Sequence, residues 1–205
     1  MRFRNFESKV KDLPLFNLND IRKYDPGFHR RQLSDWQKRG YIRHLAGGYY
    51  ILADREVNDA FLYMAANRIY TPSYVSLESA LAFYQIIPES VLGVTSVSAR
   101  KTRQFDSAWG QFSYRSIKPA FMFGYEVVIT RPDQKFLIAS LEKAVLDYLY
   151  LNAHIQVVED FEGLRWNKAR LQHLNDSPTF EQFMKVFDKQ ALRFRVKALM
   201  RYLDA

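Results

Sequence analysis

Two adjacent glycines, Gly47 and Gly48, separate two short runs that are rich in β-branched and aromatic residues. The first run covers residues 41–45 and the second covers residues 49–52. Paired glycines readily adopt the positive φ angles of a tight hairpin turn, so this pattern predicts a two-stranded antiparallel hairpin. A helical pattern that ends at Gly40 comes directly before it. This stretch is therefore constrained to fold as a helix followed by a hairpin.

The helix before the hairpin is predicted to be amphipathic and basic. It covers residues 28–39, where His29, Leu33 and Trp36 fall on one stripe when successive residues are turned by about 100°. A position on this apolar stripe suggests that His29 is packed against a core and is not a ligand. The polar residues of the segment fall on the opposite side of the helix.

Two shorter helical segments, residues 2–12 and 19–24, precede the basic helix, and a strong turn signal lies at residues 25–27. Helix, helix, turn, basic helix and hairpin is the order of a winged helix-turn-helix domain. We therefore predict a winged helix-turn-helix at residues 1–53 and a second domain at residues 54–205.

The positive charge of the chain is concentrated in the first of these domains. The whole chain has 30 Lys and Arg against 22 Asp and Glu, a net charge of +8. Residues 1–53 hold eleven basic and five acidic side chains, a net charge of +6, which leaves +2 for residues 54–205. Such asymmetry is typical of a module that binds a polyanion. A basic surface that maintains solubility explains the charge alone equally well.

Double-stranded DNA is the polyanion that suits a basic helix followed by a hairpin. The major groove admits one α-helix, and the phosphates along it attract cations on that helix and on the hairpin. The alternative is a basic helix on a domain that binds protein, and Asp35 in the middle of the polar face is unfavourable for DNA. The expected DNA contacts are Arg30, Arg31, Ser34, Gln37 and Lys38 on the helix, and Arg43, His44 and Tyr49 on the hairpin.

The rest of the chain predicts a domain that combines helices with a sheet. Strand-like runs lie between residues 91 and 138, separated by glycine and proline turn signals. The fold class is therefore α+β, with the N-terminal winged helix-turn-helix followed by a mixed α/β domain that has a central antiparallel sheet of four or five strands and C-terminal helices. The predicted helices of this domain are residues 56–68, 76–86, 140–152, 158–175, 179–189 and 191–203.

The last predicted helix offers a second basic surface. Arg193, Lys197 and Arg201 recur every four residues, on a different face from an apolar stripe. A charged face at helical spacing is most often the solvated side of an amphipathic helix. Contact with an acidic partner or with nucleic acid is the alternative interpretation.

The sequence offers little enzyme chemistry. The chain has no cysteine, which excludes disulfides, thiolate metal sites and a cysteine nucleophile, and its four histidines lack metal-ligand spacing. Glycine-rich phosphate loops and the nucleophile elbow of hydrolases are also absent from the sequence. We expect no catalytic residue, no metal site and no cofactor. Glu142 and Asp147, which fall on one predicted helix, are interpreted as a helix cap and a surface charge.

A metal-dependent nuclease is the nearest enzymatic alternative. Such an enzyme needs two carboxylates and a nearby lysine to hold a divalent ion and direct water. Asp133 and Lys135, with Asp106 or Glu126 upstream, are the closest approach to that set. Asp133 follows Pro132 in an evident turn, which favours a structural role for this carboxylate.

Several short segments match a known family in order and spacing. In the hairpin they are residues 39–43 and 48–52, and further on they are 72–81, 87–89, 95–98, 105–114, 138–147 and 164–167. The more specific ones are Ser76-Leu77-Glu78-Ser79-Ala80-Leu81 and Glu142-Lys143-Ala144. Over about residues 16–170 the chain resembles the AbiEi family, the antitoxins of type IV toxin–antitoxin systems.

This resemblance implies a function in two parts. The N-terminal domain would bind repeats in the promoter of its own operon and repress transcription. The second domain would counter a co-encoded nucleotidyltransferase-like toxin without forming a stable complex. Family members often carry arginine where this chain has Gly47, so the tip of this hairpin has less charge.

An orphan regulator that responds to a small ligand is the remaining alternative. No apolar run approaches the roughly 20 residues of a membrane helix, and the start of the chain lacks the apolar core of a signal peptide. We therefore expect a soluble cytoplasmic protein without a membrane partner.

Overall fold

The computed structural model describes residues 2–88 and 91–205, and the chain is α+β, as expected. Glu89, which ends one of the segments that carry the resemblance, lies outside the described residues. No helix among the described residues is long and apolar enough to cross a membrane. The N-terminal elements are α1 (Phe3–Val10), β1 (Phe16–Asn17), α2 (Leu18–Arg22), α3 (Arg31–Lys38), β2 (Ile42–Ala46) and β3 (Tyr49–Leu52).

The helix α3 is shorter than its sequence pattern suggests. The turn after Asp25 extends to Phe28, whose N–H donates to the Asp25 carbonyl over 3.0 Å, and the regular helix begins only at Arg31. His29 therefore precedes the helix and is exposed, so the expectation that it is packed is wrong. The C-terminal end is as expected, because Gly40 has a φ of +70° and closes the last turn.

The expected hairpin is present, and β1 adds a third strand that the sequence did not predict. The sheet has the order β1-β3-β2 with antiparallel pairs, and Gly47 and Gly48 have φ angles of +58° and +85° in the turn. Side chains alternate between the two faces of a strand. One face, which includes Tyr50, packs on a core formed with α1–α3, whereas Ile51 on the other face belongs to the core of the rest of the chain.

The second part of the chain contains a longer series of elements. Its strands and helices are α4 (Asp59–Ile69), β4 (Ser73–Val75), α5 (Leu77–Phe83), β5 (Gly93–Ser98), β6 (Arg103–Ser107), β7 (Gly110–Ser116), β8 (Tyr125–Arg131), β9 (Gln134–Ala139), α6 (Leu141–Leu151), α7 (Val158–Glu162), α8 (Lys168–Leu171), α9 (Pro178–Phe187) and α10 (Gln190–Asp204). Short 3₁₀ turns lie at Pro119–Phe121 and Gln172–Asp176.

The central sheet is mixed and has six described strands, which corrects the expected antiparallel sheet of four or five. Its order is β6-β7-β5-β4-β9-β8, and the pairs β5–β7 and β4–β9 are parallel. The strand β4 has three residues, too few for its alternation to be detected in the sequence. It nevertheless occupies the middle of the sheet and creates the parallel contact with β9.

Helices cover both faces of this sheet. Tyr63 of α4 packs against Phe136 of β9 on one face, with ring centroids 5.3 Å apart. Lys143 of α6 contacts Tyr74 of β4 on the opposite face. This arrangement explains why the strands in the centre of the sheet are buried on both sides.

The predicted helix at residues 158–175 is divided. The chain leaves the helix after Glu162, Arg165 has a φ of +50°, and Trp166 enters the core. The N–H of Asn167 then donates to the carbonyl of Ile86 over 2.8 Å. These tertiary contacts override the helical pattern, because they use backbone and side-chain groups that a continuous helix would direct elsewhere.

Asp147 is completely buried, so its interpretation as a surface charge is wrong. Its carboxylate accepts hydrogen bonds from the Lys143 ammonium, the Tyr74 hydroxyl and the Ser76 hydroxyl, the last two over 2.9 Å each. Ser76 directly precedes α5, which begins one residue after the predicted start of this helix, and the Ser76 hydroxyl binds Asp147 and does not cap the helix. Glu142, in the first turn of α6, remains where the sequence placed it.

Candidate nucleic-acid interface

The orientation of α3 follows from two buried anchors. Leu33 and Trp36 are buried, and the indole of Trp36 stacks on Phe6 of α1 with ring centroids 4.8 Å apart. Since residues three apart lie on the same side of a helix, these anchors turn Arg31 and Lys38 outward. The exposed side chains of α3 and its preceding residue are Arg30, Arg31, Ser34, Asp35, Gln37 and Lys38.

The cations of this surface are available to an external anion. Among the described residues, Arg30, Arg31 and Lys38 have no ion pair and no side-chain hydrogen bond within the protein. Asp35 lies on the same outward face, and it has no ion pair with any described residue either. The surface of α3 therefore presents three cations, two polar side chains suited to base edges or phosphates, and one opposing carboxylate.

A second group of cations, which was not predicted from the sequence, lies beside α3. Arg2, Arg4 and Arg39 line a groove of about 710 Å³ between the start of α1 and the end of α3. Its wall includes Tyr41, which is 39% exposed and stacks on Phe3 with ring centroids 4.5 Å apart. The sequence does contain a signal for this group, the two arginines on either side of Phe3 at the start of a predicted helix. Positive side chains are unfavourable at the N-terminus of a helix, where the helix dipole is also positive, unless an anion compensates them.

The hairpin does not contribute the cation expected of it. Arg43 is half-buried on the face of the sheet that turns towards the second part of the chain. Its guanidinium lies 5.1 Å from the centroid of the Trp109 ring and donates to the carbonyl oxygen of Arg55. Because Arg43 and Ile51 are paired across β2 and β3, their side chains share the covered face. The geometry therefore removes Arg43 from the surface that can meet a ligand.

The other two hairpin candidates are also poorly suited to hold a phosphate. His44 is exposed, but its ring lies against Tyr50 and desolvation lowers its pKa, so the imidazole is neutral at neutral pH. Tyr49 is half-buried against the larger core. Neither residue adds positive charge beside α3.

The tip of the hairpin packs against the second part of the chain. A Cβ atom at Gly47 would lie 2.8 Å from Cγ2 of Ile69 and 3.5 Å from the ring of Phe105. Glycine is thus required at this position both by its positive φ and by the close approach. This contact accounts for the absence of an arginine at position 47.

The second basic surface lies on α10, where Arg193, Lys197 and Arg201 are exposed as expected. Arg193 is paired with Asp188 over 2.8 Å, whereas Lys197 and Arg201 have no ion pair within the described part of the chain. Next to them, α9 and α10 enclose an apolar groove of about 550 Å³.

The carboxylates of the nuclease alternative are not assembled into a site. Asp106 is on β6 and Glu126 is on β8, the two opposite edges of the sheet, which are about 24 Å apart at the usual spacing of strands. Asp133 pairs with Arg55 over 3.5 Å. Within the described residues, no cluster of three His, Asp or Glu side chains could hold a metal ion.

The two more specific segments of the resemblance meet in a buried network. Ser76 and Lys143 belong to these two segments, while Tyr74 and Asp147 lie in the longer matching stretches around them, residues 72–81 and 138–147. Burial lowers the pKa of Lys143 and raises the pKa of Asp147, while their mutual contact opposes both changes. The network has no exposed atom to offer a substrate, and its geometry is suited to fastening α6 onto β4.

A large cleft lies beside α4 and has features of a ligand site. It has a volume of about 1070 Å³, and its walls include Tyr63, Phe83, Trp109 and Phe136, with Asn58 as a polar group. Burial and the charge of Asp59 raise the pKa of Tyr63 to about 12, so its hydroxyl is protonated, and it donates to the Ser79 carbonyl over 3.3 Å. Aromatic walls with a few polar groups are typical of small-molecule sites.

In comparisons with known proteins, no family model and no curated protein matches this chain.

Proposed function

We propose that this protein is a regulator that binds double-stranded DNA through the outward face of α3. The observation that carries the proposal is the set of exposed cations at Arg30, Arg31 and Lys38, which have no partner among the described residues. The order α1, β1, α2, α3, β2, β3 supports the interpretation of this region as a winged helix-turn-helix. Ser34 and Gln37 would read base edges beside these cations.

In this proposal, the groove formed with α1 replaces the hairpin as the second contact with DNA. Arg2, Arg4 and Arg39 would neutralise phosphates at the border of the groove that receives α3. Tyr41 would pack against the sugar-phosphate backbone. The hairpin instead holds the DNA-binding region against the rest of the protein, through Arg43 and Gly47.

A gel-shift titration against the DNA upstream of its own gene tests this surface. Arg31→Ala combined with Lys38→Ala should lower the affinity roughly tenfold or more and reduce the slope of log K against log salt by about 2, because two phosphate contacts are lost. A matched control is Lys118→Ala with Lys189→Ala, which removes two exposed cations from the second part of the chain.

If the Arg31 and Lys38 double variant binds with unchanged affinity and salt slope, α3 is not the interface. A third double variant, Lys197→Ala with Arg201→Ala, measures whether the basic surface of α10 contributes to DNA binding. We expect its affinity to equal that of the control.

We further propose that the regulator represses its own operon and acts as a type IV antitoxin. The support is the resemblance to the AbiEi family, together with the meeting of two of its matching segments, residues 72–81 and 138–147, in one buried network. Co-expression with the product of an adjoining nucleotidyltransferase-like gene tests this role. Rescue of growth that persists in the Arg31 and Lys38 double variant would show that antitoxicity is separate from DNA binding, whereas an absence of rescue by the wild-type protein contradicts the antitoxin role.

A ligand-responsive regulator is a second candidate, and the aromatic cleft specifically favours it. Trp109 lines this cleft, and its ring also contacts the Arg43 guanidinium of the hairpin. A ligand bound in the cleft would therefore contact a residue that fixes the position of the hairpin. A small-molecule library screened by thermal shift, followed by gel shifts with each stabilising compound, tests this candidate. A compound that stabilises the protein without changing its DNA affinity argues against ligand control.

A further inference from the structure

The two edges of the six-stranded sheet are protected very differently. The edge strand β6 carries the charged or polar side chains Arg103, Gln104 and Asp106, and its Phe105 lies against the tip of the β2–β3 hairpin. The opposite edge strand, β8, pairs only with β9 in the described part of the chain. Exposed edge strands readily add another strand unless charge, proline or a cover prevents it.

One face of β8 is unusually apolar for an exposed edge. Tyr125, Val127 and Ile129 alternate along the strand, so their side chains share a face, and they are 42%, 49% and 64% exposed. An exposed apolar edge of this kind is a ready template for pairing with another strand.

Contacts of β9 show which backbone groups of β8 point outward. The N–H of Leu137 donates to Oδ1 of Asn67 over 2.7 Å, and Nδ2 of Asn67 donates to the Leu137 carbonyl over 3.3 Å. Leu137 thus directs both backbone groups away from β8, and its partner Val127 must direct its own groups towards the open edge. By the alternation of the strand, Tyr125 and Ile129 do the same.

This edge is complementary to a second copy of itself. When two β8 strands run antiparallel about a two-fold axis at Val127, Val127 faces its own copy and Tyr125 faces Ile129 of the other chain. All three residues direct their amides outward, so each pair exchanges two N–H···O=C bonds. The side-chain pairs are aromatic with β-branched and β-branched with β-branched, which favour sheet formation.

We propose that β8 is a homodimer interface, in which two chains join their sheets through antiparallel pairing centred on Val127. Glu126 lies opposite Val128 in this register, so no like charges oppose each other. The irregularity of the ladder between Ile129 and Arg131 ends the regular strand just beyond the paired residues. A C2 interface of this kind requires a self-complementary patch, and β8 provides one. The proposal does not depend on DNA binding.

The two-fold register allows a test by charge reversal, measured by sedimentation equilibrium on the full chain. Since residue 127 meets its own copy, Val127→Lys and Val127→Glu each place two like charges in contact and should raise the dimer dissociation constant roughly tenfold or more. An equimolar mixture of the two variants pairs opposite charges and should restore the dimer. Because Val127 is half-exposed, a lysine or a glutamate at this position can reach solvent in the monomer. Thermal unfolding of each variant checks that the fold is intact.

The matched control is Gln104→Lys and Gln104→Glu on the other edge strand, which should leave the dissociation constant unchanged. A wild-type protein that remains monomeric at all accessible concentrations overturns the proposal. A dimer that survives both Val127 variants overturns it as well, and so does a mixture that stays monomeric.

Discussion

The outward face of α3 and the β2–β3 hairpin are neighbouring basic regions whose charges have opposite surroundings. Arg31 and Lys38 project from α3 without any partner in the described part of the chain. Arg43 of the hairpin instead lies over the Trp109 ring and donates to a carbonyl oxygen. A cation whose hydrogen-bonding capacity is used internally stabilises the fold, whereas an unpartnered one is available to a phosphate.

The buried pair of Lys143 and Asp147 is the extreme case of an internal charge, and breaking it should have the largest effect. Lys143→Met leaves a buried carboxylate without its cation, and we expect it to lower the free energy of unfolding by about 3–5 kcal/mol. Adding Asp147→Leu should recover part of this loss. Urea denaturation followed by circular dichroism measures both, and Lys38→Met serves as the exposed control, expected to change stability by less than about 0.5 kcal/mol.

The docking of the hairpin predicts a difference between its two glycines. Alanine at either position has to adopt a positive φ, but only Gly47→Ala also places a Cβ against Ile69 and Phe105, since nothing lies within 4 Å of a Cβ at Gly48. We expect Gly47→Ala to cost about 1–3 kcal/mol more than Gly48→Ala in the same denaturation experiment. Equal costs would mean that the tip of the hairpin is not packed against the second part of the chain.

Arg43 and Arg31 should differ in which property their removal affects. Arg43→Ala should lower stability by about 1–2 kcal/mol through the loss of its ring contact and hydrogen bond, and should leave DNA affinity unchanged. Arg31→Ala should leave stability unchanged and lower DNA affinity with a smaller salt slope. Denaturation and gel-shift measurements on both variants check this. If Arg43→Ala lowers DNA affinity without lowering stability, the hairpin contacts DNA after all.

The parts of the site that the sequence predicted well were those determined by local periodicity. The spacing of Leu33 and Trp36 correctly indicated which side of α3 is buried, and hence that Arg31, Ser34 and Lys38 face outward. The hairpin was also predictable, because Gly47 and Gly48 have the conformation that such a turn requires.

The parts that it missed depend on contacts between distant segments. Every residue from Tyr50 to Leu52 is buried in the structure, because this strand is covered on both faces. The sequence does not indicate which segment covers the second face. The groove of Arg2, Arg4 and Arg39 likewise exists only because the start of α1 lies beside the end of α3. Asp147 was misplaced because Tyr74 and Ser76, which bind its carboxylate, lie more than seventy residues away.

The sequence by itself determined the composition of this protein's basic region, the amphipathic pattern of α3 and the hairpin turn, because these depend on residues within a few positions of each other. Only the tertiary structure decided which cations are available to a ligand, which edge of the sheet is open and which carboxylate is buried. The physical reason is that burial and pairing depend on what packs against a surface, and the packing partners are remote in the chain. Arg31 and Arg43 have the same side chain, and their roles differ because Trp109 and the carbonyl of Arg55 lie beside only one of them.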